Sequence, residues 1–269
     1  MKIPLYQVDA FTSTLFGGNP AAVCPLEQWL PDDVMQKIAI ENNLSETAFI
    51  VPNPKWEVAG RTAHYSIRWF TPAREIELCG HATLGSAYII FKYLNNNADG
   101  IEFDSLSGKL TVSRDGDLIT LDFPALASQP VALRSDVAEA LGVEPTLLYK
   151  SQRTMAVFER EEQILSMKPN MAKLAAIPDV SGIAVTAPGS DSDFVSRFFI
   201  PKFGIDEDPV TGSAHCTLIP YWANRLGKTK LFARQLSARR GELWCELAGE
   251  RVKMSGKAAE YMRGEITVG

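Results

Sequence analysis

The chain has 269 residues, long enough to bury a large core without disulfides or a structural metal. Hydrophobic residues make up 46% and charged residues 22%, ordinary values for a globular protein. With 27 basic against 32 acidic residues the net charge is −5, which argues against a nucleic-acid partner but not against a local site for an anion. Four separated cysteines with no CxxC pair indicate a reduced chain. Pro4 and Asp9 interrupt the first apolar run, and the longest one, residues 84–91, is too short to cross a bilayer. The expectation is a cytoplasmic protein with no membrane association.

In chain order, residues 3–11 are predicted as a strand. Turn-rich Phe16-Gly17-Gly18-Asn19-Pro20 and an apolar run to Cys24 follow. Pro31 with Asp32 and Asp33 opens a helix that carries Val34, Ile38 and Ala39 on one face and ends near Asn42-Asn43. Strands are predicted at 46–51 and 65–70, and a long apolar helix over 80–94. Arg114 to Asp117 reads as the turn of a hairpin between 110–113 and 118–123. Residues 123–130, with two prolines and no periodicity, are the expected linker. A short helix at 135–141 capped by Gly142, strands at 155–159, 183–186 and 194–199, and a second long helix at 212–226 ending at Gly227 come next. From about Gln235 the tail alternates strands and turns, closing with residues 265–268.

A repeat organises this list. Arg68-Trp69-Phe70-Thr71-Pro72 is echoed by Arg197-Phe198-Phe199-Ile200-Pro201. Each is followed by an acidic loop and by a helix that opens on glycine, Gly80-His81-Ala82 or Gly212-Ser213-Ala214. Offsets of 129 and 132 residues, close to half the chain, point to two related halves.

Both helix starts suit an anion, because the first N–H groups of a helix lack internal partners and carry partial positive charge. Gly80 and Gly212 equally suit close helix–sheet packing. If the halves face each other, the two starts share one cleft. His81 falls at a helix N-terminus, which favours its neutral form and suits a proton relay or a packing role. Asp208 precedes Pro209, which fixes its backbone, while Asp206 and Glu207 are expected to be solvated. Glu46 opens an apolar strand: it is either an exposed edge glutamate or a desolvated acid/base. Cys79-Gly80-His81 and His215-Cys216 are spaced too tightly for the usual metal chelates, so no metal is expected. No P-loop, Rossmann fingerprint or GxSxG elbow occurs, and no cofactor is expected.

Taken together, Gln7-Val8-Asp9-Ala10-Phe11, Gly17-Gly18-Asn19-Pro20-Ala21-Ala22-Val23, Leu44-Ser45-Glu46-Thr47-Ala48-Phe49, Arg68 to Pro72, Leu78-Cys79-Gly80-His81-Ala82-Thr83 and Asp208-Pro209-Val210-Thr211-Gly212-Ser213-Ala214 resemble the phenazine-biosynthesis isomerase-like family, relatives of diaminopimelate epimerase. The resemblance implies an α/β (α+β) fold of two pseudo-symmetric halves, each a curved mixed sheet wrapped around its central helix. It implies that the last strand returns to the first half, giving residues 1–124 with 259–269 and residues 125–258. Homodimers are common in the family. The epimerase relatives use one thiol from each half. Cys79 occupies the first position, but Thr211 occupies the second, so Cys79 is expected to be a packed residue. In the phenazine branch a glutamate at the position of Glu46 takes and returns a proton during a double-bond isomerisation. His81 and Asp208 match positions that relay protons and hold substrate, and Asn19, Gly80, Gly212 and Ser213 match substrate-binding positions. The implied function is a cofactor-independent isomerase of a small carboxylate-bearing amino or hydroxy acid. The competing readings are a non-catalytic binder of such a molecule and a thiol-dependent epimerase using Cys79.

Overall fold

The computed structural model describes residues 1–53 and 61–269. Its contacts divide the chain into two units, Met1–Asp122 with Ser255–Gly269, and Phe123–Met254.

The first unit contains β1 (Lys2–Ala10), β2 (Asn19–Pro25), α1 (Asp32–Asn42), β3 (Glu46–Pro52), β4 (Thr62–Phe70), β5 (Glu75–Ile76), α2 (Gly80–Ile89), β6 (Gly100–Ser105), β7 (Gly108–Asp115) and β8 (Leu118–Pro124). The second runs through β9 (Gln129–Val131), α3 (Ser135–Leu141), β10 (Leu147–Lys150), β11 (Thr154–Val157), α4 (Glu161–Ser166), α5 (Met171–Ala176), β12 (Ile183–Pro188), β13 (Phe194–Ile200), β14 (Ile205–Glu207), α6 (Gly212–Leu226), β15 (Lys230–Gln235) and β16 (Gly241–Ala248). After β17 (Arg251–Gly256), β18 (Ala258–Thr267) returns to the first unit and pairs antiparallel with β1.

The strands of the two units repeat one pairing scheme. In the first unit, β1 and β2 are antiparallel, β2 and β3 parallel, β3 and β4 antiparallel, β4 and β6 parallel, and β6 and β7 antiparallel. The same alternation links β10, β11, β12, β13, β15 and β16. In both units the parallel neighbours are joined by helical crossovers, as parallel pairing requires. Duplication is thus written in the hydrogen-bond ladders as well as in the Arg-aromatic-Phe-x-Pro motif.

That motif has a structural reason. Arg68 leaves β4 and grips both carboxylate oxygens of Glu75 on β5, at 2.7 Å each. Arg197 on β13 does the same to Glu207 on β14, at 2.8 and 2.9 Å. Each bidentate pair folds the segment after the proline back onto its strand and aims the chain into the glycine-led helix. The acidic loops of the sequence reading are therefore short hairpin strands. Glu207, expected to be solvated, is instead a mostly buried ion-pair partner.

Both long helices are core elements. In α2 every residue from His81 to Ala87 is buried, which an amphipathic surface helix would not allow. Its small residues let the sheet approach: a Cβ on Gly85 would lie 3.6 Å from Val8 Cβ. The predicted helix to Leu94 is α-helical only to Ile89, and residues 90–94 form a single π turn. In α6, Trp222 stacks on Phe194 with ring centres 5.6 Å apart and donates its Nε1–H to Thr186 Oγ1 at 2.9 Å. Pro220 lies inside α6 and cannot donate to the Cys216 carbonyl; the Leu126 N–H takes that acceptor at 2.9 Å, pinning the start of the second unit to its helix. The expected linker is shorter than its proline content suggested, because Gln129–Val131 pairs with β10 as an edge strand, where proline is tolerated. Gly142 and Gly227 cap α3 and α6 in the left-handed conformation, as expected. Among the described residues no helix is long and apolar enough to cross a membrane.

Candidate active site

The first unit assembles four side chains from three elements. Parallel pairing sets Ala21 of β2 beside Glu46 at the start of β3, so Asn19 and Glu46 begin neighbouring strands. Gly18 delivers the chain into β2 with φ +60°; a Cβ there would lie 2.1 Å from the Ala10 carbonyl oxygen, so only glycine fits. The start of α2 supplies His81. Its Nε2 is 3.1 Å from Glu46 Oε2, and its Nδ1 is 3.0 Å from Asn19 Nδ2 and 3.5 Å from Cys79 Sγ. The Glu46 and His81 side chains are only 13% and 5% exposed. Glu46 is therefore not the exposed edge residue of the alternative reading.

The electrostatics differ from those of an isolated helix terminus. Burial lowers the His81 pKa, but its neighbours Cys79 and Glu46 outweigh this and raise it above the ordinary histidine range. Burial, reinforced by the Glu46 charge, pushes the Cys79 thiol up to about 11. A thiol of that kind is neutral at pH 7, so the charge that favours imidazolium comes from Glu46. A carboxylate that arrives from another strand thus opposes the helix-terminus preference of His81 for its neutral form. Cys79 is buried, as expected, with its sulfur against the imidazole. Asn19 is fully buried, and the contact it makes here is with the His81 ring.

The second unit builds a different arrangement at the start of α6. Asp208 Oδ2 accepts from Thr211 Oγ1 at 2.6 Å. Gln235 on β15 holds the whole loop: its Nε2 donates to the Asp208 carbonyl at 2.7 Å, and its Oε1 accepts the Thr211 N–H at 2.9 Å. Ser237 Oγ donates to the Pro209 carbonyl at 2.9 Å. Gln235 and Ser237 were absent from the sequence reading, and nothing local in the sequence marks them. Gly212 is buried at the first turn of α6 and Ser213 beside it is exposed, next to N–H groups that a helix cannot satisfy internally. Gly80 occupies the corresponding first position of α2.

A cavity of about 650 Å³ in the second unit, walled by residues such as Tyr149, Phe158 and Tyr221, contains none of these site residues and neither histidine nor cysteine. Among the described residues His215 and Cys216 belong to no group of metal ligands: His215 Nδ1 contacts the Thr211 carbonyl at 2.8 Å, and Cys216 Sγ points to the Gly212 carbonyl at 3.6 Å. His215 is wholly buried beside Phe194, and its Nε2 has no partner among the described residues. Burial lowers its pKa from 6.5 to about 4. Below pH 6.5 the unfolded chain therefore takes up a proton that the folded chain refuses until about pH 4, so stability falls as pH drops through that window. The expected loss is about 3 kcal/mol from this group. Urea unfolding from pH 7 to pH 4 should show it, and His215→Phe should flatten that part of the profile. Identical profiles would remove His215 as the cause.

The family model described as phenazine biosynthesis-like protein matches residues 8–264. The chain belongs to this family. An uncharacterized isomerase of Pseudomonas aeruginosa is 48% identical over 266 residues, covering 99% of both chains. The crystal structure of a PhzF-family phenazine biosynthesis protein from Enterococcus faecalis superposes with a TM-score of 0.95 at 44% identity, covering all of both chains. A hydroxyproline epimerase from Agrobacterium vitis shares the fold alone, with a TM-score of 0.62 at 11% identity over 98% of this chain and 92% of its own. Membership of the phenazine biosynthesis-like family and the epimerase-like mixed α/β fold agree with the sequence reading.

Proposed function

We propose that the protein is a cofactor-independent isomerase that moves a proton on a small amino or hydroxy acid bearing a carboxylate. The observation that carries this reading is the buried Glu46–His81 pair, 3.1 Å apart, at the mouth of β3 and α2. Glu46 takes and returns the proton, and His81 orients the substrate or relays the proton. Asp208, already held by Thr211, accepts a hydrogen bond from a substrate amine or hydroxyl. The first N–H groups of α6 at Gly212 and Ser213, with the Ser213 hydroxyl, hold the carboxylate. Fixed dipoles on that carboxylate acidify the neighbouring carbon, which is the work a cofactor would otherwise do. A two-thiol epimerase is disfavoured by a Cys79 thiol raised to about 11 and by threonine at the mirrored position.

A thermal-shift screen of amino and hydroxy acids against the purified protein, followed by proton NMR of each hit, tests the reading. A ligand that stabilises the protein and is converted to an isomer supports it. Ligands that bind and are never turned over leave a binding protein instead. Ser213→Ala is expected to weaken carboxylate binding by about 0.5–1.5 kcal/mol, or up to ~3 if the bond is charge-assisted. Unchanged affinity by calorimetry would take Ser213 off the site.

A further inference from the structure

Glu46, Cys79 and His81 each offer one ligand atom, and the three atoms lie within 4.8 Å of one another. Glu46 Oε2 is 3.1 Å and Cys79 Sγ 4.0 Å from His81 Nε2. Zinc bonds of about 2.3 Å to sulfur and about 2.0–2.2 Å to nitrogen and oxygen put tetrahedral ligands roughly 3.3–3.6 Å apart. The trio is within about half an ångström of that spacing along the two edges that can be compared. Thiolate and imidazole select a soft or borderline ion over magnesium or calcium. The proton transfer described above gives Cys79 no task, so this chemistry is additional to it.

We propose that Glu46, Cys79 and His81 form a binding site for a zinc-like divalent cation, and that its occupation silences the enzyme by taking the proton carrier as a ligand. On binding, the metal–sulfur bond replaces the S–H bond of Cys79, whose proton goes to solvent. The carboxylate of Glu46 coordinates without losing a proton. His81 coordinates through Nε2, whose proton also goes to solvent, and keeps its remaining proton on Nδ1. Asn19 stands 3.0 Å from Nδ1, and turning its amide over presents the carbonyl oxygen to that N–H, the outer contact that zinc-bound imidazoles use. Three protein ligands leave a fourth position for water or a substrate carboxylate.

The silencing half of the proposal rests on Glu46 as proton carrier; the binding half does not, and is read without substrate. Cobalt(II) titrated into the purified full-length protein should bind one to one, giving the intense visible bands of a four-coordinate ion and a near-ultraviolet sulfur-to-cobalt charge-transfer band. Zinc should erase both. Cys79→Ser keeps the size of the side chain; it should lose the charge-transfer band and weaken binding at least about tenfold, with its melting temperature checked beside the wild type. No band in the wild type, or a band that survives in Cys79→Ser and so belongs to another thiol, overturns the site. With the site established, stoichiometric zinc should abolish turnover and a chelator should restore it. Undiminished turnover with zinc bound overturns the silencing role.

Discussion

Glu46→Gln is expected to lower turnover at least ~100-fold while ligand affinity stays within a few-fold. The amide matches the carboxylate in size and can still reach His81, so β3 and the start of α2 should keep their geometry. It can neither take nor return a proton, and it removes the Glu46 charge, which together with Cys79 raises the His81 pKa. The variant therefore removes the carrier and changes the state of its neighbour together. Steady-state kinetics with calorimetry on the same ligand separate the two effects. Full activity in Glu46→Gln would refute the assignment, whereas loss of binding alone would make Glu46 a pocket-forming residue.

The largest stability effect is expected from Arg197→Met. This arginine and Glu207 are 14% and 19% exposed, and its guanidinium also donates to the carbonyls of Ile164 and Met167 at 3.1 and 2.8 Å. Removing it leaves a carboxylate and two carbonyls without their donor and frees β14 from β13. Breaking a buried pair on one side costs about 3–5 kcal/mol, which corresponds to a fall of roughly 10 °C in melting temperature for a chain of this size. Arg197→Met with Glu207→Leu should recover part of the loss, because the orphaned charge is then gone. A melting temperature within about 2 °C of the wild type for Arg197→Met would show that the pair does not hold the approach to α6.

The arginines also show what the sequence could and could not say. Their repetition, with a proline four residues on and a glycine-led helix beyond, exposed the duplication before any strand was paired. The role of the acidic residues between was hidden, because β5 and β14 are two and three residues long and exist through a side-chain grip rather than through strand propensity. Buried α2 and α6 were readable from apolar length and from glycine at their starts and ends. Glu46, His81 and Asp208 stood out through the resemblance. Their neighbours did not: Gln235 reaches Asp208 and Thr211 only because β15 pairs with β13, which no local pattern encodes. The carboxylate beside His81 is hidden for the same reason. A helix-terminus argument uses the residue's own element, whereas this carboxylate comes from β3.

The proton transfer itself can be followed by isotope. Turnover in deuterium oxide, with the recovered ligand examined by NMR and mass spectrometry, reports whether solvent hydrogen enters at carbon. Deuterium is expected at a single carbon position with the wild type and none above background with Glu46→Gln. Deuterium entering at the wild-type rate with Glu46→Gln, and vanishing with Cys79→Ala, would contradict it and pass the proton to the thiol.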